Sequence, residues 1–285
     1  RLSNKAPNEM TIIIGDREIK FISARLIRTM DTVADGCTAQ IIRKNQNTEI
    51  ENLLRPYSFS PAQVFIGNQL LLSGAVYSVS PNISDQGDLL NIEIWSYTAD
   101  LIDSTMPKPY EQSNITLKDR SNILLQNIGI KSVFDFTDNS PFDRVTADRT
   151  DTIFSHLAEL ANQRGFLLSS TIEGNLLFTK AKNSSPVGTL EAGQVGVISL
   201  SAKFDGRKLF NTITALGESP GNPNKISTIT DNNIPKSRFF TFKADDTTTA
   251  NIETAAKWKR SKLLADSLTI PFPCKGYYAP NNTLY

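Results

Sequence analysis

Histidine and cysteine are almost missing from this sequence: it has one histidine, His156, and two cysteines, Cys37 and Cys274. A zinc site built from several His and Cys ligands is therefore excluded. So are a four-cysteine iron–sulfur cluster and a disulfide-rich scaffold. Each cysteine stands alone in its neighbourhood. Two free, buried thiols in a reducing compartment are the expectation, and a Cys37–Cys274 disulfide is the alternative left open. An excess of one charge is also missing, since 30 Lys+Arg face 29 Asp+Glu for a net +1. Such a chain has no global field to steer it onto DNA, RNA or an acidic membrane. No apolar run reaches the roughly 18 residues of a membrane-spanning helix. No cationic start with an apolar core marks a signal peptide. The phosphate-cradling patterns GxxxxGK[ST] and GxGxxG are absent, as is a GxSxG elbow.

What is present is enough to fold. The 285 residues exceed one core of ordinary size, so two domains or more are expected, and 39% hydrophobic content excludes wholesale disorder. Residues 11–103 read as strands. TIIIG stops at a Gly15-Asp16 turn, and REIKFISARLIRT follows as one strand, with Ile19, Phe21, Ser23 and Arg25 on one face and Lys20, Ile22, Ala24 and Leu26 on the other. Gly67-Asn68 turns a hairpin, and Gly74 sits mid-strand, where a bulge or barrel bend is the usual reason. Leu90, Ile92 and Ile94 point inward, and Asn91 and Glu93 outward. Residues 104–114 carry two prolines and read as a linker.

The pattern then changes. Thr116 and Asp119 resemble a capping box ahead of a helix with Leu117, Leu124 and Ile128 on one stripe, ended by Gly129. TDTIFSHLAELANQRG predicts a second helix, Ile153, Leu157, Leu160 and Ala161 forming its stripe and Phe154 and Ala158 widening it. A hairpin turning at residues 172–175 follows it. After a loop at 182–188, VGVISLSAKFD, LFNTITALGE and RFFTFKA read as strands, and residues 219–236 as a long polar loop, mobile or ordered by a partner. ANIETAAKWKRSKLLADS reads as a helix, and the extended, Pro- and aromatic-rich end suggests that the natural chain continues past Tyr285.

Catalytic candidates are few. His156 reads as a boundary histidine on an amphipathic helix. Asp143, Asp148 and Asp151 read as helix-capping carboxylates, and Asp245-Asp246 stand as an adjacent pair. The stretch Asp85 to Asp88 lacks the spaced ligands of a calcium loop. The basic run Lys257, Trp258, Lys259, Arg260, Lys262 is the one positive cluster, read as a solvated face or protein contact in preference to a nucleic-acid grip.

Three stretches, in this order, resemble the baseplate hub proteins of Mu-like contractile-tailed phages, related to the late control D tail proteins and to the hub half of type VI secretion spikes. They are VFIGNQLLLSGAVYSVSP, TDTIFSHLAELANQRGFLLSSTIEGNLLFTKA, and the C-terminal helix leading into SLTIPFPCKGYYAPNNTLY. In the third, Gly276-Tyr277 and Asn282-Thr283-Leu284-Tyr285 stand where relatives often carry Gly-Trp and Asp-Gly-x-Leu-Trp-x-Pro-Asn. The resemblance implies an α+β, mainly β fold: a first tail-tube-like β-barrel at 1–104, an α+β insertion at 105–184, and a second barrel with a helix at 185–285. It implies no enzyme, cofactor or metal. It implies a homotrimer whose six barrels make a pseudo-six-fold ring in the virion's tail baseplate. The ring's partners would be a central spike, the tail tube or its initiator, and baseplate wedge proteins, with no membrane and no specific nucleic acid. Within this frame the loop 219–236 and the basic helix, with Trp258, Lys259, Arg260 and Lys262, are the interface candidates. The competing readings are a cell-wall hydrolase acting through carboxylates, and a carbohydrate-binding adhesin using Trp95, Tyr97, Trp258 and Tyr277-Tyr278.

Overall fold

The computed structural model describes residues 8–29, 32–43, 48–84, 87–137, 140–180, 191, 193, 197–217, 225–244, 249–271 and 273. The first part is a curled antiparallel sheet. Its strands are β1 (Met10–Ile14), β2 (Arg17–Ile19), β3 (Ser23–Ile27), β4 (Gly36–Ile42), β5 (Pro61–Ile66), β6 (Gln69–Ser84) and β7 (Gly87–Ser96), with helix α1 (Thr48–Leu53) between β4 and β5. The strand order is β2-β1-β5-β6-β7-β4-β3.

The expected single strand over 17–29 is two strands. β2 pairs with β1 at one edge of the sheet and β3 pairs with β4 at the other. Only residues 20–22 join them, a reach of about 14 Å at full extension. The two edges are therefore held close, and the sheet must curl. The core agrees. Ile19 of β2 and Cys37, Ala39 and Ile41 of β4 fill the same cluster as Ile12, Val64, Leu72, Leu90, Ile92 and Ile94. The break also resets the strand's alternation. Ile19 and Phe21, of one expected face, pack on the core, whereas Ala24 and Leu26, of the other, turn inward after the break.

Gly74 is not itself at a bulge. The register shifts lie at Val64/Phe65 and Val76/Ser78. At Gly74 a Cβ would sit 1.8 Å from the Trp95 carbonyl oxygen, so β6 and β7 approach too closely for any side chain.

The second part begins with α2 (Asp100–Asp103). It continues through β8 (Glu111–Thr116), α3 (Leu117–Leu125), β9 (Ser132–Phe134), β10 (Pro141–Thr146), α4 (Ile153–Gln163), β11 (Leu167–Ser170) and β12 (Leu176–Thr179). The expected linker is structured. Met106 is buried in the core, Thr105 bridges Thr152, and β8 pairs with β10. Polar composition concealed this, because β8 is a ribbon strand with only Ile115 buried. The helices follow their local signals. Thr116 accepts from the Asp119 N–H, and Thr152 and Ser155 form a reciprocal capping box. Gly165 ends α4 with φ +74°. The α3 and α4 stripes close over Phe166, Leu168, Leu176 and Phe178, with Phe134 stacked on Phe178 at 4.3 Å.

The third part holds β13 (Lys203–Phe204), β14 (Thr212–Gly217), β15 (Lys225–Thr230), β16 (Phe239–Ala244), α5 (Thr249–Asp266) and β17 (Leu268–Thr269). The sheet β15-β14-β16 carries α5 on one face, where Ala215 and Ala244 pack against Ile252, Ala255 and Ala256. Two expectations are corrected here. Among its described residues VGVISLSAKFD is not a continuous strand: β13 pairs with β17, while the Ile198 and Ser201 N–H groups donate to the carbonyls of Pro273 and Pro271, which have no N–H to return a ladder bond. The expected loop 219–236 contains β15, while its residues 219–224 lie outside the described ones. Among the described residues, the third part forms a three-stranded sheet and a two-stranded ribbon.

Candidate interaction surface

The basic run lies on α5, whose buried side is set by Ile252, Ala255 and Ala256. Its cations are largely engaged within the chain. Lys257 pairs with Glu253 at 2.6 Å, one helical turn back. Lys259 sits over the rings of Phe240 and Phe242 on β16, 5.1 and 5.9 Å from their centroids. Arg260 donates to Asp231 at 2.9 Å. That bond and the Asn233 N–H hold the Asp231 carboxyl below its ordinary range, the Asn233 contribution being the larger. Lys262 lies 5.9 Å over the Trp258 ring. Trp258 itself faces the end of α4, its ring carbon 3.6 Å from where a Gly165 Cβ would stand. The run thus fastens α5 to its own sheet and to α4, while the side chains of Lys257 and Arg260 stay 66% and 49% exposed at its rim.

The other expected residues are placed as follows. Asp148 accepts from the Thr150 N–H at 2.9 Å, which holds its carboxyl low, and Asp151 accepts from the Asp148 N–H at 3.1 Å; both shape the turn before α4. Asp143 is exposed on β10. Asp85, Asp245, Asp246, Cys274, Tyr277 and Tyr278 lie outside the described residues. His156 is not at a boundary. It is 3% exposed, and its Nε2 accepts from Arg120 Nε at 3.2 Å. Burial, then the Arg120 charge, pushes its imidazole down to about 4. Cys37 is buried with a free thiol, raised to about 11 by burial. Trp95 lies over Gly36, and Tyr97 packs on the core of the second part beside Gly174. These two aromatics are internal contacts. Among the described residues no three His, Cys, Asp or Glu side chains gather as a metal site.

Sequence reasoning missed another surface. The loop after α1 holds Tyr57 at φ +64° and Phe59 at φ +46°, a conformation that bulky L-residues rarely adopt. Ser58 and Ser60 fix it by donating to the Leu53 carbonyl at 3.0 and 2.7 Å. Tyr57 is presented 87% exposed, while Phe59 meets Tyr77 edge to face at 5.7 Å. Beside the loop is a cleft of about 320 Å3, floored by Leu54, Val79, Pro81 and Leu90 and rimmed by Arg43 and Arg55. No motif announces such a surface; only backbone geometry does. In the third part Phe204, Phe239 and Ile226 are exposed large apolar residues.

Comparison with known proteins bears on these surfaces. Residues 98–180 match the family described as baseplate hub protein gp44-like, second domain. Across 237 residues the chain is 23% identical to the baseplate hub protein gp44 of Escherichia phage Mu, covering 77% of this chain and 62% of that protein. The chain thus spans less than two thirds of that curated relative. Among solved structures, the 43 kDa tail protein of prophage MuSo2 from Shewanella oneidensis aligns with a TM-score of 0.78 and 22% identity over 97% of this chain and 85% of its own. A tail protein from Neisseria meningitidis MC58 gives 0.79 and 18% over 97% and 83%. The prophage tail protein gp18 of Listeria monocytogenes EGD-e gives 0.60 and 12% over 92% and 79%. In motif order, in fold and in the match of residues 98–180 to the gp44-like second-domain family, the chain resembles the baseplate hub proteins of Mu-like contractile-tailed phages.

Proposed function

We propose that this chain is a structural, non-enzymatic component of a phage tail baseplate. It is a homotrimeric hub whose ring joins the tail tube to a central spike, and wedge proteins contact its periphery. The observation that carries the reading is the gp44-like hub domain at 98–180, set in a fold shared with phage tail proteins. The open sheet edges support it. β2 and β3 end the first sheet, and β15 and β16 end the third, each with one side unpaired among the described residues. A soluble monomer normally blunts such edges, whereas a cyclic assembly satisfies them by pairing neighbours. In this reading the first sheet and the third part each supply one tail-tube-like unit per subunit, and three subunits give six. The rim of the basic helix, with Arg260 and Lys262, and residues 225–236 face partner proteins.

The test is the absolute mass in solution, by light scattering after gel filtration at several concentrations, followed by imaging of particles. Three chain masses and a six-lobed ring are expected. A strict monomer, with or without the spike present, would sink the hub reading. A turbidity assay on purified cell walls addresses the enzymatic alternative, with no clearing expected.

A further inference from the structure

We infer that residues 33–35 form a lock between the curled sheet and the second part of the molecule, with Asp35 as the residue that sets the angle between them. The inference does not rest on the hub reading. The loop precedes β4 in the first sheet, yet Val33 is fully buried in the core of the second part, among Leu101, Leu157 and Phe178. An apolar plug of this kind adheres but does not orient, because the hydrophobic effect has no direction.

Direction comes from Asp35, which is 2% exposed. Its Oδ2 accepts from Arg28 Nε at 2.9 Å and from Ser170 Oγ at 2.6 Å, and its Oδ1 accepts from the Thr29 N–H at 3.3 Å. Arg28 and Thr29 follow β3 in the first sheet; Ser170 ends β11 in the second part, 135 positions from Asp35. A buried carboxylate must be satisfied from all sides, so it tolerates little rotation of either body. The backbone of the same loop is held independently. The Asp35 N–H donates to Ser96 Oγ at 3.2 Å, Ser96 Oγ donates to the Val33 carbonyl at 3.2 Å, and Thr98 Oγ1 donates to that carbonyl as well. Residues 96–98 lead the chain from β7 into the second part, so covalent connection and carboxylate meet at one joint. The β11–β12 turn completes it. Gly174, at φ +81°, lies so close to β6 that a Cβ would be 2.8 Å from both the Ser73 carbonyl oxygen and the Tyr97 ring.

The test reads orientation, not stability alone. Nitroxide labels at the exposed positions Glu93→Cys on β7 and Lys118→Cys on α3, in a Cys274→Ser background with Cys37 buried, report the distance between the bodies by pulsed electron resonance. The otherwise unsubstituted chain is expected to give one narrow distribution. Ser170→Ala removes the one bond from Asp35 across the joint and is expected to broaden it about twofold, as hinge freedom does. Asp35→Asn is expected to do the same. Thr179→Ala deletes a comparable hydroxyl–carboxylate bond, to Asp135 at 2.7 Å, entirely within the second part; it is expected to leave the width unchanged. Unchanged widths in Ser170→Ala would overturn the inference, and so would equal broadening by Thr179→Ala. Should Asp35→Asn fail to fold, Ser170→Ala decides alone. In chemical unfolding, the pair Asp35→Asn and Ser170→Ala is expected to be coupled about tenfold in the unfolding constant, and additivity would count against a direct bond.

Discussion

At the scale of single residues, the pairing of Arg120 with His156 has a consequence that a pH series reads directly. Arg120 is fully buried and donates to the Pro109 carbonyl at 2.8 Å, Gln112 Oε1 at 2.6 Å and His156 Nε2 at 3.2 Å, all neutral acceptors. The imidazole can accept there only while Nε2 is unprotonated, so the folded protein holds the Nδ1–H tautomer. Its folded value of about 4 lies below the ordinary 6.5. As pH falls through 6.5, the unfolded chain takes up a proton that the folded chain refuses. The His156 contribution is therefore intact above pH 6.5 and is lost progressively down to about pH 4. The loss is of order 3 kcal/mol in full. Urea unfolding at pH 7 and pH 4.5 is expected to show a smaller drop in stability for His156→Gln than for the parent, and equal drops would refute the assignment. The sequence flagged His156 but put it at a boundary. Its buried partner, Arg120, lies 36 positions away, which no local pattern reveals.

Gly74 teaches a related lesson at the same scale. A mid-strand glycine was legible as special, but its cause lies in another strand. Gly74→Ala is expected to lower stability by more than about 3 kcal/mol or to abolish folding, because the Trp95 carbonyl cannot recede without breaking the β6–β7 ladder. A variant that melts normally would contradict the contact.

At the scale of elements, those with local signals were read correctly from sequence. α4 has its cap, its stripe and its terminating glycine within 14 residues, Thr152 to Gly165. Thr152→Ala is expected to cost about 1 kcal/mol by denaturant melt, the usual worth of such a cap. Elements whose partners are distant were read less well. In β15 four residues of six, Ile226, Thr228, Ile229 and Thr230, are β-branched, a strand signal outweighed in the reading by the polar Gly/Pro/Asn context. Its pairing with β14 realises that propensity. For α5, sequence located the helix and read its basic run as a solvated face or protein contact; the intrachain partners of Lys259 and Arg260 lie outside the helix. Trp258→Ala is expected to destabilise by about 2 kcal/mol through the lost contact with α4, whereas Lys257→Ala changes stability by less than about 0.5 kcal/mol. The reverse order in thermal melts would move Trp258 back to the partner-facing side.

At the scale of the whole molecule, the open edges support the functional argument that the match at 98–180 carries. If β2 and β3 pair across subunits, a proline at Thr38 in the interior strand β4 damages the fold, whereas a proline at Arg25 on the edge damages assembly more than folding. Arg25→Pro is therefore expected to shift the mass from three chains toward one while the far-ultraviolet dichroism is largely kept; an intact trimer would place the subunit contact elsewhere. The sequence by itself determined the β-rich first part, the positions of the three main helices, the hairpin after α4 and the resemblance to hub proteins, because caps, turns and periodic apolar residues act within one or two turns of chain. The tertiary structure alone decided the crossing from β2 to β3, the burial of His156 with Arg120, the engagement of the basic helix and the Asp35 lock. Each of these joins groups brought together only when the chain curls back on itself, and their energies depend on burial that no stretch of sequence contains.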